Sequence, residues 1–234
     1  MLKQLVNRFT AVSIVGVDLG SSWLKVVELG HADNRILLRR CAVTAVEGDD
    51  AAALLKRLLS DAGITATHAA LGLAAPGVIV RPFQFPLMPK KELMSAIKLE
   101  SEQAIINGHS SNEMAIDWHT FSSHSQDSVR GLLAVVPKTI VAARLQVAKA
   151  AELRPVVVDV EGLALWNAYW ALVGTQEPTP NTVPLMNIGA STTNLVIAKG
   201  PDELILVRDF QLGAQALTKG QKLEWRDEVR DSLG

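Results

Sequence analysis

One pattern occurs twice in this chain of 234 residues, and it constrains the fold more than anything else in the sequence. Residues 15–30 read VGVDLGSSWLKVVELG and residues 185–200 read LMNIGASTTNLVIAKG. Each is an apolar strand, a polar residue two positions before a glycine, a run of small and hydroxylated residues, and a second apolar strand. Taken singly, either is an ordinary hairpin. Gly20 and Gly189 are free to take positive φ, and Ser21-Ser22 or Ala190 to Thr193 can then turn several backbone N–H groups inward as an anion nest. Two such nests would hold a polyphosphate from both sides. The pattern leaves two readings open: a pair of tight turns, or a phosphate cradle in which turns 18–22 and 187–193 face each other across a cleft. Lys25 is likewise either a phosphate contact or a lysine reaching past its strand to solvent.

The remaining elements suit a mixed α/β chain. Strand-like runs include RILLRRCAVTAV, EMAIDWHTF and ELILVRDFQLG. DDAAALLKRLLSDAG reads as a helix with acidic residues at its start, leucines at 54, 55, 58 and 59, and Gly63 as its stop. HAALGLAAPGVIVRPFQFPL reads as a strand pair broken at Ala75-Pro76-Gly77. KKELMSAIKLESEQAI is helical, and VRGLLAVVPKTIVAARLQVAKAAEL and RPVVVDVEGLALWNAYWALVG each read strand then helix. Residues 175–184, TQEPTPNTVP, form the clearest linker. Opening hairpins followed by strand–helix units predict a sheet part antiparallel and part parallel.

Composition removes several classes of function. The 23 basic and 24 acidic residues leave a net charge of -1, which gives no footprint for nucleic acid. The single cysteine, Cys41, forms no intramolecular disulfide or Cys-rich zinc site and fits a reducing cytosol. No apolar run approaches the ~20 residues of a membrane span. The first residues, MLKQLVNRFTAVSI, carry a helical apolar spacing that reads as a packed or frayed terminus.

GVDLGSSWLKVVEL resembles the first phosphate motif of the actin-like ATPase (ribonuclease H-like) superfold of actin, sugar kinases and the cell-division protein FtsA, and NIGASTTNLVI resembles its second. FPLMPKKELMSAIKLESEQAI with EMAIDWHTF, AVVPKTIVAARLQVAKAAEL and VVVDVEGLALWNAY extend the likeness, over nearly all of residues 12–219, to the PilM family of cytoplasmic, FtsA-like proteins of type IV pilus assembly. The resemblance implies two α/β lobes with mixed sheets: a first lobe at 12–81 and 123–155, a small FtsA-type helix–strand subdomain at 82–122, and an incomplete second lobe at 156–234. It implies ATP and Mg2+ as ligands. Asp18 lies near the metal and γ-phosphate, the backbone of Gly20, Ser21, Ser22 and Trp23 wraps the phosphates, and Lys25 points at them. Gly189, Ala190, Ser191 and Thr192 close the nest, with Asn187 at its start. The implied partners are the cytoplasmic tail of a PilN-like membrane protein, PilO through PilN, and the assembly ATPases, which place the chain at the inner-membrane face. The tail is expected in a groove between the main sheet and the small subdomain, with residues 79–106 as candidate walls.

Two departures from the superfold weaken the enzyme reading. Asn187 stands where an aspartate is usual, so hydrolysis is expected to be slow at most, and Asn187→Asp to raise it. The adenosine-binding glycine pair is also absent, since no Gly-Gly occurs in the sequence. The alternatives are a sugar or acetate kinase of the same superfold, or an interaction domain without nucleotide. Asp159 and Glu161 are the only tempting acids for a kinase base, and the plainer expectation is that they cap the helix that follows.

Overall fold

The computed structural model describes residues 13–32, 35–48, 50–105, 110–121, 127–173, 182–200 and 203–218, together with Asp227, Arg230 and Asp231. The expected helical start (1–12), most of the polar turn near 122, most of the linker and most of the C-terminal tail lie outside them.

Strand alternation decides the first sheet. In β1 (Ile14–Leu19) Val15 and Val17 are buried, and in β2 (Trp23–Ala32) Leu24, Val26 and Glu28 are. The two strands are antiparallel, with Asp18 opposite Lys25. β3 (Arg35–Ala45) pairs antiparallel with β2, while β4 (His68–Leu73) and β8 (Arg154–Val160) extend the other side in parallel. The order is β3-β2-β1-β4-β8. Helix α1 (Ala51–Asp61) starts where the Asp50 side chain accepts the N–H of Ala52 at 2.9 Å, and ends at Gly63, whose φ is +63°. Its four leucines pack on Val15, Val17, Leu24 and Val26, joined by Ala148 from α3 (Lys138–Ala150).

The broken run at Ala75-Pro76-Gly77 does not make a hairpin. β4 joins the first sheet, whereas β5 (Ile79–Pro86) joins another, of order β5-β7-β6, with β6 at Met114–Thr120 and β7 at Ser128–Pro137. Helix α2 (Lys90–Ala104) covers it, seating Leu93, Ile97 and Ala104 against Phe83, Leu133 and Val135. The expected boundaries at 82 and 122 therefore cut through this sheet, because β7 pairs within it and not in the first lobe. β7 is buried on both faces: Leu132 and Val136 enter one cluster, Leu133 and Val135 another. Such a strand needs neighbours on both sides, and β5 and β6 supply them. β8, divided between lobes by the expected boundary at 155, is wholly in the first sheet.

The third sheet has the order β11-β10-β9, from β9 (Val183–Ile188), β10 (Thr193–Ala198) and β11 (Leu204–Phe210). Helix α4 (Glu161–Leu172) packs on it, and a short α5 (Ala214–Thr218) follows β11. Among the described residues no helix is long and apolar enough to cross a membrane.

One charge lies deep in the first sheet. Glu28 is almost fully buried and accepts from the Arg40 guanidinium at 2.8 Å, its cross-strand partner. Removing one member of such a pair leaves an uncompensated charge. Arg40→Ala should therefore destabilise by about 3 kcal/mol. Replacing both Glu28 and Arg40 with leucine should cost less, a contrast that urea unfolding of the two variants measures.

Candidate functional site

The two repeated hairpins fold alike and meet. In the first, the N–H of Gly20 donates to the Trp23 carbonyl at 3.1 Å; in the second, Gly189 donates to Thr192 at 2.9 Å. Neither glycine has positive φ, against expectation. Glycine is required for another reason: a Cβ at 20 would lie 2.7 Å from the Trp23 oxygen, and one at 189 would lie 2.9 Å from that of Thr192. At the tips, the Ser21 and Ser191 hydroxyls are hydrogen-bonded at 2.8 Å across the cleft. The turns at 18–22 and 187–193 thus face each other.

Residues 213–215 brace the second turn. The N–H groups of Ala214 and Gln215 donate to the carbonyls of Gly189 and Ala190, at 2.8 and 3.0 Å. A Cβ at Gly213 would lie 2.5 Å from those same carbonyls. The Gln215 side chain then donates to Ser22 Oγ at 3.0 Å, a second bond between the lobes. Sequence reasoning missed Gly213 and Gln215; their only signal is a glycine two positions before the last Gln of RDFQLGAQ.

Lys25, expected to point at phosphates, donates from Nζ to Asp18 Oδ2 at 2.7 Å. The pair lies at the mouth of the cleft, with both side chains partly exposed. Arg144 of α3 donates to the Leu19 carbonyl at 2.9 Å, which anchors the start of the first turn.

Asn187 has a structural reason to be an amide. It stands opposite Asn194, which stands opposite Asp209, across β9, β10 and β11. Asn187 Nδ2 donates to Asn194 Oδ1 at 2.8 Å, and Asn194 Nδ2 donates to Asp209 Oδ1 at 2.9 Å. An ionised Asp209 only accepts, so Asn194 must present its N–H to it and its oxygen to residue 187, which must therefore donate. Burial raises the Asp209 pKa and the Asn194 bond opposes the rise. Asp209 Oδ2 has no partner among the described residues.

Glu161 and Asp159 do not cap α4 as expected. The cap residue is Val160, and no side chain caps the helix there. Asp159 instead accepts from the Val160 N–H and the Asn167 side chain, and burial pushes it up to about 6. Glu161 faces the cleft. Burial, then the nearby charges of Asp18 and Asp209, push it up to about 7, with Arg144 and Lys25 opposing. The cleft thus gathers carboxylates from β1, β11 and the start of α4. Among the described residues no three His, Cys, Asp or Glu side chains can hold a metal unaided. Mg2+ asks for less, one or two carboxylates together with phosphate oxygens, and the under-neutralised acids and facing turns fit MgATP in that sense.

The family model described as type IV pilus assembly protein PilM matches residues 16–224. The chain belongs to the PilM family. Its fold is the actin-like ATPase fold, as the two motifs imply. Among solved structures it is similar to a PilM-PilN type IV pilus biogenesis complex, at 27% identity and a TM-score of 0.73, over 95% of this chain and 70% of that one. It is also similar in fold to the cytoplasmic domain of EpsL, an inner membrane component of the Vibrio cholerae type II secretion system. That match has 15% identity and a TM-score of 0.53, over 91% of this chain and 76% of that one. A search of curated proteins found no sequence match.

Two outcomes follow for this PilM-family chain. Asn187→Asp places a second acceptor against Asn194 Oδ1, which should cost about 1–3 kcal/mol. Whatever it does to turnover, the variant should show a lower urea midpoint at pH 8, with the gap narrowing in acid as the new carboxyl protonates. Glu161 is raised from 4.5 to about 7 on folding, so the folded state holds the proton more tightly. Its penalty is absent below 4.5, grows as pH rises, and is complete above 7. Glu161→Gln should therefore raise the melting temperature at pH 8, leave it unchanged at pH 4.5, and flatten the slope between.

Proposed function

We propose that this chain is a cytoplasmic scaffold of type IV pilus assembly. It holds the N-terminal tail of a PilN-like inner-membrane protein and binds MgATP between its two hairpin turns. Family membership supports the assembly role and favours it over a small-molecule kinase. The partner is supported by the likeness to a PilM-PilN complex. One observation carries the nucleotide reading: the 2.8 Å hydrogen bond between Ser21 and Ser191, at the tips of two matched turns on different lobes. Tips that close accept a phosphate chain between their hydroxyls and N–H groups with little movement.

In this reading Ser21, Ser22, Ser191 and Thr192 supply hydroxyl and backbone donors to phosphate. Asp18 and Glu161 take the metal side, and Lys25 adds a cation next to Asp18. A bound Mg2+ neutralises phosphate charge. Asn187 is committed to the Asn194 amide, so no carboxylate at that position orients a water, and turnover is slow or absent. The partner's membrane anchor holds the chain at the inner-membrane face, where PilO, through PilN, and the assembly ATPases are its further partners.

The groove that suits the tail lies where it is expected, between the main sheet and the small subdomain, but its lining residues are not those at 79–106. A cavity of about 320 Å³ lies between the first sheet and the small sheet, with Ile116 and Trp118 of β6 on one side and Val158 of β8 and Leu163 of α4 on the other. β6 and β8 are the outermost strands of their sheets on this side, so an extended tail can add to a free edge.

The test is a titration of MgATP and of labelled tail peptide into the folded chain. The Lys25–Asp18 pair is exposed, and such pairs contribute about 0–1 kcal/mol to stability, so Lys25→Ala should fold normally. It should weaken MgATP binding roughly tenfold or more, through loss of a charge-assisted contact. Tail binding, being chiefly apolar, should change little between low and high salt. Failure of the tail to bind at either salt overturns the scaffold reading, and an unchanged MgATP affinity in Lys25→Ala overturns the role given to Lys25.

A further inference from the structure

The first sheet ends at β8 beside the groove, and its opposite end, β3, is left open. Edge strands are commonly short or broken by charges, because their unpaired N–H and C=O groups attract other chains. β3 runs for 11 residues, where about five or six is usual, and residues 35–41 are all exposed. Its register on β2 sorts these side chains by face. Arg40, Leu37 and Arg35 stand opposite Glu28, Gly30 and Ala32, on the face that carries Leu24 and Val26 under α1. Arg39, the extra residue where the register shifts, lies on that face too, since a Cβ at Gly30 would collide with its guanidinium. Ile36, Leu38, Cys41 and Val43 stand opposite His31, Leu29, Val27 and Lys25 on the other face, with Leu38 63% and Val43 58% exposed. One face of the edge is thus largely cationic and the other apolar. Arg40 is neutralised by Glu28, whereas Arg35 and Arg39 have no acidic partner among the described residues.

We infer that β3 is a docking edge for an extended segment of a protein partner in which acidic and apolar residues alternate. The segment adds to the sheet as one more strand, its main chain bonded to the open N–H and C=O groups of β3. Successive side chains of a strand point to opposite faces, so its acids meet Arg35 and Arg39 while its apolar residues extend the face of Leu38 and Val43. Charge decides against a second copy of this chain as the occupant. In the antiparallel pairing of fullest overlap, residues 35 and 45 stand opposite each other and Arg40 meets its own copy, with both Arg39 side chains beside it. Like charges directly opposite are destabilising. The arginines that keep a second copy away are the ones that admit an acidic strand. The inference is independent of the tail-binding reading, because β3 and β8 are at opposite ends of the first sheet.

The experiment uses the full chain and three labelled peptides. In one, valine and glutamate alternate; in the second, valine and lysine alternate; the third has the composition of the first, with its valines grouped in one half and its glutamates in the other. The alternating acidic peptide should bind, and the other two should bind at least about tenfold more weakly. The grouped peptide has the same charge as the first, so it separates strand pairing from general attraction. Reversing both cations, with Arg35→Glu and Arg39→Glu in one chain, should turn the preference to the lysine peptide, a gain that an unfolded chain does not show. Unlabelled tail peptide of the PilN-like partner should not displace the acidic peptide. An acidic peptide that binds no better than the lysine or the grouped one overturns the inference, as does a preference that the double reversal leaves unchanged. Displacement by the tail peptide also overturns it, because the acidic peptide then sits in the groove. Self-association of the unaltered chain in sedimentation, lost in Leu38→Asp, assigns the edge to a second copy and overturns it as well. None of these failures touches the scaffold reading, which stands or falls on the tail titration.

Discussion

Helix α4 lies so close to the third sheet that residue 162 has no room for a side chain. A Cβ at Gly162 would stand 2.8 Å from Val207 Cγ1 and 3.4 Å from Val196 Cγ2. That contact fixes the helix where three sheets converge. Trp166 packs in one cluster with Val160 of the first sheet, Leu132 and Val136 of the small sheet and Val196 of the third. A protein interior this dense does not let one sheet shift without the others. Both sites inherit the constraint. The first residue of α4, Glu161, faces the cleft between the two hairpin turns, while Leu163, Trp166 and Asn167, within two turns, line the groove. Gly162 has no side chain to offer either site, yet the relative placement of cleft and groove depends on it.

The cleft is held by short polar bonds and the groove by apolar contact, and the two differ in how they respond to a ligand. The hydroxyls of Ser21 and Ser191, and Gln215 with Ser22, are partly or fully exposed. Exposed neutral hydrogen bonds contribute little net stability, because water replaces either partner. The interlobe contacts are therefore weak enough to exchange for ligand oxygens. The second turn itself is not, because the carbonyls of Gly189 and Ala190 are already committed to residues 214 and 215. With those carbonyls tied back, and the Gly189 N–H and Thr193 hydroxyl donating to Thr192 and Leu212, the second turn is held rigid behind the exposed Ser191 hydroxyl.

Much of this was legible in the sequence, and the misses share a cause. The facing of the two turns is expected only from their repetition in the two halves, whereas the hairpins and α1 with its Asp50 and Gly63 ends follow from local pattern, which needs only periodicity and turn chemistry. The Asn187–Asn194–Asp209 ladder did not, because it depends on which residues stand opposite across three strands. Alternation gives the face of a side chain and leaves its register open. For the same reason β7 was assigned to the wrong sheet: an apolar run on both faces says that neighbours exist and not which strands they are. The glycines were identified at the right positions with the wrong reason. Sequence favours φ as the account of a turn glycine, whereas here the next carbonyls exclude a Cβ. Sequence offers Glu161 as a kinase base or a cap and not as part of the cleft, since the acids that act on it are at positions 18 and 209, far away in the chain.

The two interior glutamates separate structure from function on physical grounds. Glu28 is the more buried, yet the register of β2 and β3 delivers Arg40 to it, so its charge is neutralised within the fold. Glu161 is less buried, and of the charges that act on it Asp18 and Asp209 weigh most, with Arg144 and Lys25 acting in the weaker, opposite sense. Folding alone has no use for that arrangement, because a buried acid placed among other acids costs stability above its own pKa. A neutral residue such as glutamine at 161 would remove the cost. Sites that keep an unfavourable charge are where ligands supply the missing opposite charge, and perturbed acids gather there for that reason. The acid at 28 is thus explained by the sheet, while the packing of the fold does not account for the acid at 161.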